Sequence, residues 1–154
     1  MDTTELRKAY EAFLAEADGA GNSDASDDRG WTVPMVVTHV SSNDALILAH
    51  LRGAVAGSSS YDNTPVIDDS ALRLIATSTS WARLMDGART SAAEVLDVVA
   101  TLDEEVGARV LPTKIVDGGE PIVDGPLPVS AFLGAQINVH LPMHTAQIRS
   151  IRAR

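Results

Sequence analysis

Between Trp81 and Leu102, apolar side chains recur in steps of three and four: Trp81, Leu84, Met85, Ala88, Ala92, Val95, Leu96, Val99 and Leu102. At about 3.6 residues per turn these positions share one stripe running for more than five turns. A helix with so long an apolar face is stable only when that face is covered by other elements. Gly87 interrupts the stripe at a cost of about 1 kcal/mol relative to alanine, too little to break it.

The rest of the chain supplies partners of the same kind. Leu6, Tyr10, Phe13 and Leu14 recur at i, i+4, i+7 and i+8, behind Asp2 and Glu5, whose carboxylates can satisfy free amides of a first turn. That pattern stops at Asp18-Gly19. A second helix opens at Thr32, with Pro34 early, where a missing N–H costs little, and runs to about Ala56 before Gly57. A last helix extends from about Val129 to the C-terminus, with Phe132, Leu133, Ile137, Leu141, Ile148 and Ile151 as its apolar positions. The predicted fold is all-α: one domain over residues 1–154, folded as a four-helix bundle. A long crossover separates helices two and three. It holds the turn formers Tyr61–Pro65 and a short helix capped by Asp68-Asp69-Ser70 and reaching Ile75. A small hairpin-like excursion precedes the fourth helix, where Lys114-Ile115-Val116 and Pro121-Ile122-Val123 flank Asp117-Gly118-Gly119-Glu120. From Gly19 to Gly30 no apolar residue exceeds alanine, which predicts a solvated, mobile loop.

Composition narrows the function. With 12 Lys and Arg against 21 Asp and Glu, the net charge of −9 repels phosphate backbones and anionic lipid, so neither nucleic acid nor membrane is expected as a partner. Arg149, Arg152 and Arg154 are too few to reverse this. Aromatic residues are only 4%, so the core must be aliphatic. Cysteine is absent, which removes disulfides, thiolate zinc sites, Fe–S clusters and thiol nucleophiles together. The opening Met1-Asp2-Thr3-Thr4-Glu5 is not a basic leader, and the apolar run Ala45–Gly57 contains His50 and Arg52 and is too short to span a bilayer. These features point to a cytoplasmic protein. An exposed apolar face on the third helix or the hairpin would mark a homodimer.

The four histidines carry the chemistry. His140 and His144, four apart on the last helix, project to one face about one turn from each other, within reach of a single ion. His39 falls on the interior stripe of the second helix with Met35, Asn43, Leu46 and His50, all within about 40°. A buried imidazole must be hydrogen-bonded or coordinated, since an unpaired polar group costs on the order of 1–3 kcal/mol. One inward histidine donating to a carbonyl needs no ion; three from two helices favour a three-ligand metal site with open positions. Imidazole suits zinc or nickel among the divalent ions. His50 lies about 16 Å along the helix from His39, too far to share the ion. Gln147, one turn past His144, could hold a ligand ring or bound water from behind, and Asn43 offers the same.

These residues resemble a family. Trp31, then Val37-Thr38-His39-Val40, and finally His140-Leu-Pro-Met-His144-Thr-Ala-Gln147-Ile148-Arg149 are similar to the marks of the DinB-like superfamily. More narrowly, they resemble the N-terminal domains of mycothiol-dependent maleylpyruvate isomerases. The resemblance implies a bundle with a long crossover and a divalent metal held by His39, His140 and His144. It also implies activation of a low-molecular-weight thiol such as mycothiol, for transfer to or isomerisation of a small electrophilic substrate. Those isomerases carry a further C-terminal domain at the substrate site, whereas this sequence ends at Arg154; a transferase is therefore expected over an isomerase. They also place a carboxylate at one helix-four ligand position, where this chain has His140.

Other groups read as ordinary surface. Arg52 and Arg83 could recognise a carboxylate but are expected to be solvated, as are Asp24, Asp27, Asp28 and Asp103-Glu104-Glu105. No phosphate-binding glycine loop and no G-x-S-x-G elbow occurs. Pro142, between the two helix-four histidines, removes a helical hydrogen bond and predicts a kink. The kink would turn both imidazoles inward and leave the Asn138 carbonyl to water or a side chain. Two functions remain: a metal-dependent thiol transferase or isomerase, and a non-catalytic metal- or ligand-binding stress or interaction module. An open cavity beside the ion separates them, because the module could bury its histidines under Trp31, Trp81 and the hairpin.

Overall fold

The computed structural model describes residues 1–154. The helices are α1 (Thr4–Ala20), α2 (Val33–Val55), α3 (Asp69–Ser78), α4 (Trp81–Thr101), α5 (Glu104–Ala108), α6 (Val129–Ala135) and α7 (Leu141–Arg152). A π turn, Gln136–His140, joins α6 to α7, and Thr64–Val66 forms a 3-10 turn. The strands are β1 (Tyr61–Asp62), β2 (Val110–Asp117) and β3 (Glu120–Pro128).

The long helices form where the apolar periodicity places them. On α4 the buried positions are Leu84, Met85, Ala88, Ala92, Val95, Leu96 and Val99, which is the stripe read from the sequence. α1 buries Leu6, Tyr10, Phe13 and Ala17. Asp2 accepts the Thr4 amide at 2.9 Å, an early-turn carboxylate contact of the expected kind. α2 is buried nearly all round: Val33 through Val40 are covered without a break, because α4, α3, α7 and the sheet all lie against it. α1 packs on α7 and α4, and the four surfaces enclose one aliphatic core. Gly57 at the end of α2 has φ +85, the left-handed conformation glycine adopts without strain. No helix is long and apolar enough to cross a membrane.

The protein is mostly helical but not all-α. The excursion before α6 is a full hairpin, β2 pairing antiparallel with β3 from Val110↔Pro128 to Asp117↔Glu120. Its turn uses Gly118 and Gly119 at φ +58 and +88. The crossover adds a third strand, β1 running parallel to β2. Two residues of β1 carry no alternating pattern, so the sequence shows no strand there. The pairing exists because Asn63, just beyond β1, clamps β2: its Nδ2 donates to the Val116 carbonyl at 2.9 Å and its Oδ1 accepts the Val116 N–H at 2.8 Å. The clamp sits at the irregular step between Ile115 and Val116. The sheet thereby folds over the end of the helical layer that carries the histidines.

The last helix is not one α-helix with a kink. The Leu141 N–H donates to the Gln136 carbonyl, five residues back, so the chain widens by one residue just before Pro142. Pro142 then stands in the first turn of α7, where an absent N–H is no loss. The penalty of about 3 kcal/mol for proline in a helix interior therefore does not apply. Pro142→Ala is expected to leave the melting temperature nearly unchanged in calorimetry; a marked gain would show that the proline strains the helix.

Candidate metal centre

His39 on α2 and His140 and His144 on the π–α7 run converge at one point. Their ligating nitrogens all lie within 4.8 Å of one another. His39 Nε2 is 3.2 Å from His140 Nε2. That spacing is close to the ~3.3 Å edge of a tetrahedron with metal–nitrogen bonds of ~2.0–2.1 Å. The ring centroids are 5.3 Å (His39–His140), 4.7 Å (His39–His144) and 4.6 Å (His140–His144).

The outer nitrogens are held in a way that points the inner ones at each other. His39 Nδ1–H donates to the Val66 carbonyl at 2.7 Å, in the 3-10 turn of the crossover. His144 Nδ1–H donates to Gln147 Oε1 at 2.7 Å. These bonds assign the proton to Nδ1 in both rings and leave each Nε2 an acceptor turned toward the cluster. His144 Nε2 is buried and has no hydrogen-bond partner. An acceptor nitrogen left so in the interior is expensive unless something electron-poor meets it. Three neutral imidazoles, two held by partners on their far side, fit a divalent ion of the zinc or nickel type.

Electrostatics agree with neutral ligands. Burial holds the His144 pKa down at about 3, with His39 adding to the effect. Burial also places His140 well below the usual imidazole range, reinforced by His144 and His39. His39 is lowered chiefly by burial as well. Each ring is thus ready to ligate without first losing a proton.

Behind His144 a chain of bonds crosses most of the sequence. Gln147 Nε2 donates to Asp27 Oδ2 at 2.7 Å, and Asp27 Oδ1 accepts the Trp31 and Arg29 backbone N–H groups, both at 2.9 Å. Asp27, expected to be solvated, is instead the anchor that seats the Gly19–Gly30 loop against the site. Its carboxyl is held below the ordinary value, backbone and Gln147 hydrogen bonds outweighing the upward push of burial. No local pattern distinguishes Asp27 from Asp24 or Asp28, so only the folded chain identifies it. Gln147→Leu should weaken ion binding by about 10–100-fold by releasing the His144 ring. A competition titration with a chromogenic chelator would read this, and unchanged affinity would reduce Gln147 to packing.

Beside the cluster lies a cavity of about 430 Å³. Trp31, His39, Asn43, Gln136, His140 and His144 line its inner end, and the hairpin tip and Arg29 its mouth. Gln136, four residues before His140, is buried there and carries no motif that marks it in the sequence. Arg29 stacks over Trp31 at 5.2 Å and pairs with Asp117 at 3.2 Å. Arg52 and Arg83 are exposed and line no part of the cavity. His50 stands apart, with Nδ1 3.1 Å from Ser59 Oγ and its ring against Phe132.

Fold and site together define a class: mostly helical proteins that gather imidazoles from two helices at the inner end of a cavity closed by a small sheet. Among solved structures, the fold is that of mycothiol-dependent maleylpyruvate isomerase, with a TM-score of 0.72 at 13% identity over 94% of this chain and 58% of that one. A histidine-to-alanine mutant of that isomerase gives 0.70 at 14% identity, over 94% and 58%. This chain therefore spans 58% of the length of each neighbour, and the likeness is one of fold. At the level of sequence, no protein-family model and no curated protein matches.

Proposed function

We propose that this protein is a divalent-metal-dependent thiol transferase, with His39, His140 and His144 as the ligands. The observation that carries the reading is the buried, unpartnered Nε2 of His144, aimed between two other imidazoles at the inner end of an open cavity. Zinc or nickel bound there would supply Lewis acidity that makes a thiol or water nucleophilic near neutral pH. The chain's own groups do the rest. Val66 and Gln147 hold two ligand rings in register, and Asp27 holds Gln147. Trp31 shields the site, its ring 5.3 Å from His39 and its indole N–H bound to Asp69 at 2.7 Å. The helical elements read as a four-helix bundle in a single domain over residues 1–154. A reducing cytoplasm is the setting in which a thiol co-substrate of the mycothiol type persists.

The fold neighbours act with mycothiol, which makes a low-molecular-weight thiol the natural partner and a small electrophile its acceptor. The rival reading, a non-catalytic binding module, requires histidines buried beneath Trp31, Trp81 and the hairpin. Trp81 does not line the cavity, and the cavity reaches the cluster. The test is conjugation of a low-molecular-weight thiol to a generic electrophile, with zinc, with nickel and with chelator. Metal-dependent turnover lost in His39→Ala supports the transferase; stoichiometric metal binding with no turnover above the uncatalysed rate assigns the module.

A further inference from the structure

We infer that the cavity takes a ligand with an uncharged apolar body and a single polar head, seated head-first at the histidines. The proposal deepens the transferase reading, on which it rests for what happens at the head, by naming the class of molecule received.

Its volume of about 430 Å³ is that of a small-molecule site. The outer walls are aliphatic, with Ile67, Ile115, Ile122, Val123, Val139 and Met143. Three of these stand out into solvent: Ile122 is 65% exposed, Val139 60% and Met143 40%. Clustered exposed apolar side chains around a concave site mark a surface that something apolar covers.

The polar groups on the walls are already matched to one another. Both ends of the Asn63 amide are bound to the Val116 backbone. The Trp31 indole N–H is given to Asp69 at 2.7 Å, and the Tyr61 hydroxyl to Asn43. Arg29, the one cation on the wall, already faces Asp117 at 3.2 Å. A ligand could recruit the Asn63, Trp31 and Tyr61 groups only by breaking a bond that exists, and the charge of Arg29 is already offset by Asp117. The polarity not firmly bound lies at the inner end: the His144 Nε2, and beside it the Asn43 Nδ2 and the Gln136 amide, joined by a long 3.5 Å contact. Charge points the same way. The lining carries one guanidinium and two carboxylates, Asp69 and Asp117, so a dianion meets net repulsion.

Isothermal titration of the whole protein, metal-free and zinc-loaded, with 1-naphthol and with fumarate tests this directly. The two probes contrast a neutral apolar body bearing one hydroxyl with a small dianion. Saturable 1-naphthol binding is expected in both forms, and in the metal-free form, where no ion offsets the two carboxylates, it should be at least tenfold tighter than fumarate. Val139→Asp, a charge at the exposed mouth, should weaken 1-naphthol at least tenfold, and Leu74→Asp, exposed on α3 away from the cavity, should not. Fumarate binding to the metal-free protein as tightly as 1-naphthol, or 1-naphthol binding unaffected by Val139→Asp, overturns the proposal. Failure of the protein to take up zinc would defeat the transferase reading and leave the metal-free 1-naphthol isotherm standing as support here.

Discussion

Replacing His144 by alanine should abolish tight divalent-ion binding and leave the helical fold intact. Of the three proposed ligands, His144 is the one whose inner nitrogen is buried and unmatched, and its outer nitrogen is oriented by Gln147. Two remaining imidazoles do not close a three-point chelate, so affinity should fall by well over the ~100-fold that losing an orienting partner causes. Elemental analysis and zinc titration of the parent protein should give one equivalent. Less than about a tenth of an equivalent by both would show that the histidines are not ligands. The same substitution has a signature without metal. The His144 pKa lies at about 3 in the folded chain against 6.5 ordinarily. Below 6.5 the unfolded state therefore takes up a proton that the folded state refuses, and stability is lost as pH falls through this window. His144→Ala should flatten that loss in denaturant titrations between pH 6.5 and 4. An equal acid loss in both proteins would place the titration elsewhere.

Asp44 should show the opposite dependence, and a large one. It is buried in the centre of α2, where Oδ1 accepts the Tyr10 hydroxyl at 2.6 Å and Oδ2 accepts the Ser91 hydroxyl at 2.8 Å. No cation faces it. Burial pushes its carboxyl up from 3.8 to about 7 despite those two hydrogen bonds. The folded state then keeps the proton that the unfolded state releases above 3.8, so this group's contribution falls as pH rises from about 4 to 7 and is constant beyond. At about 1.4 kcal/mol per unit, Asp44→Asn should stabilise the protein by roughly 2–4 kcal/mol at pH 8 and by little at pH 4. Asparagine can keep both partners, accepting from Tyr10 and donating to Ser91, whose hydroxyl also reaches the Ala88 carbonyl. Because the histidines drive stability the other way over the same pH range, the difference between parent and variant isolates Asp44. A difference that does not vary with pH would mean that the carboxylate is solvated.

Asp44 also shows what a stripe conceals. As a polar residue next to Asn43 on α2 it attracts no notice, since its cost depends on Tyr10 and Ser91 arriving from two other helices. Asp27 is the same case from a loop. It lies 120 residues from Gln147, and nothing short of the folded chain brings them together. The loop predicted to be solvated and mobile is tied down there, and also where Arg29 meets Asp117 and Arg73 donates to the Gly30 carbonyl.

The sequence by itself determined the long helices and the inward faces of α1, α2 and α4, because helical periodicity is local and each apolar stripe must be covered wherever it lies. It also placed His39 on the inward stripe of α2 and put His140 and His144 on one face of the last helix, because spacing along a helix is a statement about angle. Tertiary structure decided that these three rings meet. It decided too that the third strand forms, through an Asn63 clamp on a β2 residue 53 positions away. And it turned the expected proline kink into a π turn at Gln136–His140, a choice between backbone hydrogen-bond partners that side-chain pattern does not encode. The physical reason is common to the first two. Burial periodicity is a property of a segment, whereas the partner of a buried polar group is a property of whichever distant surface comes to rest against it.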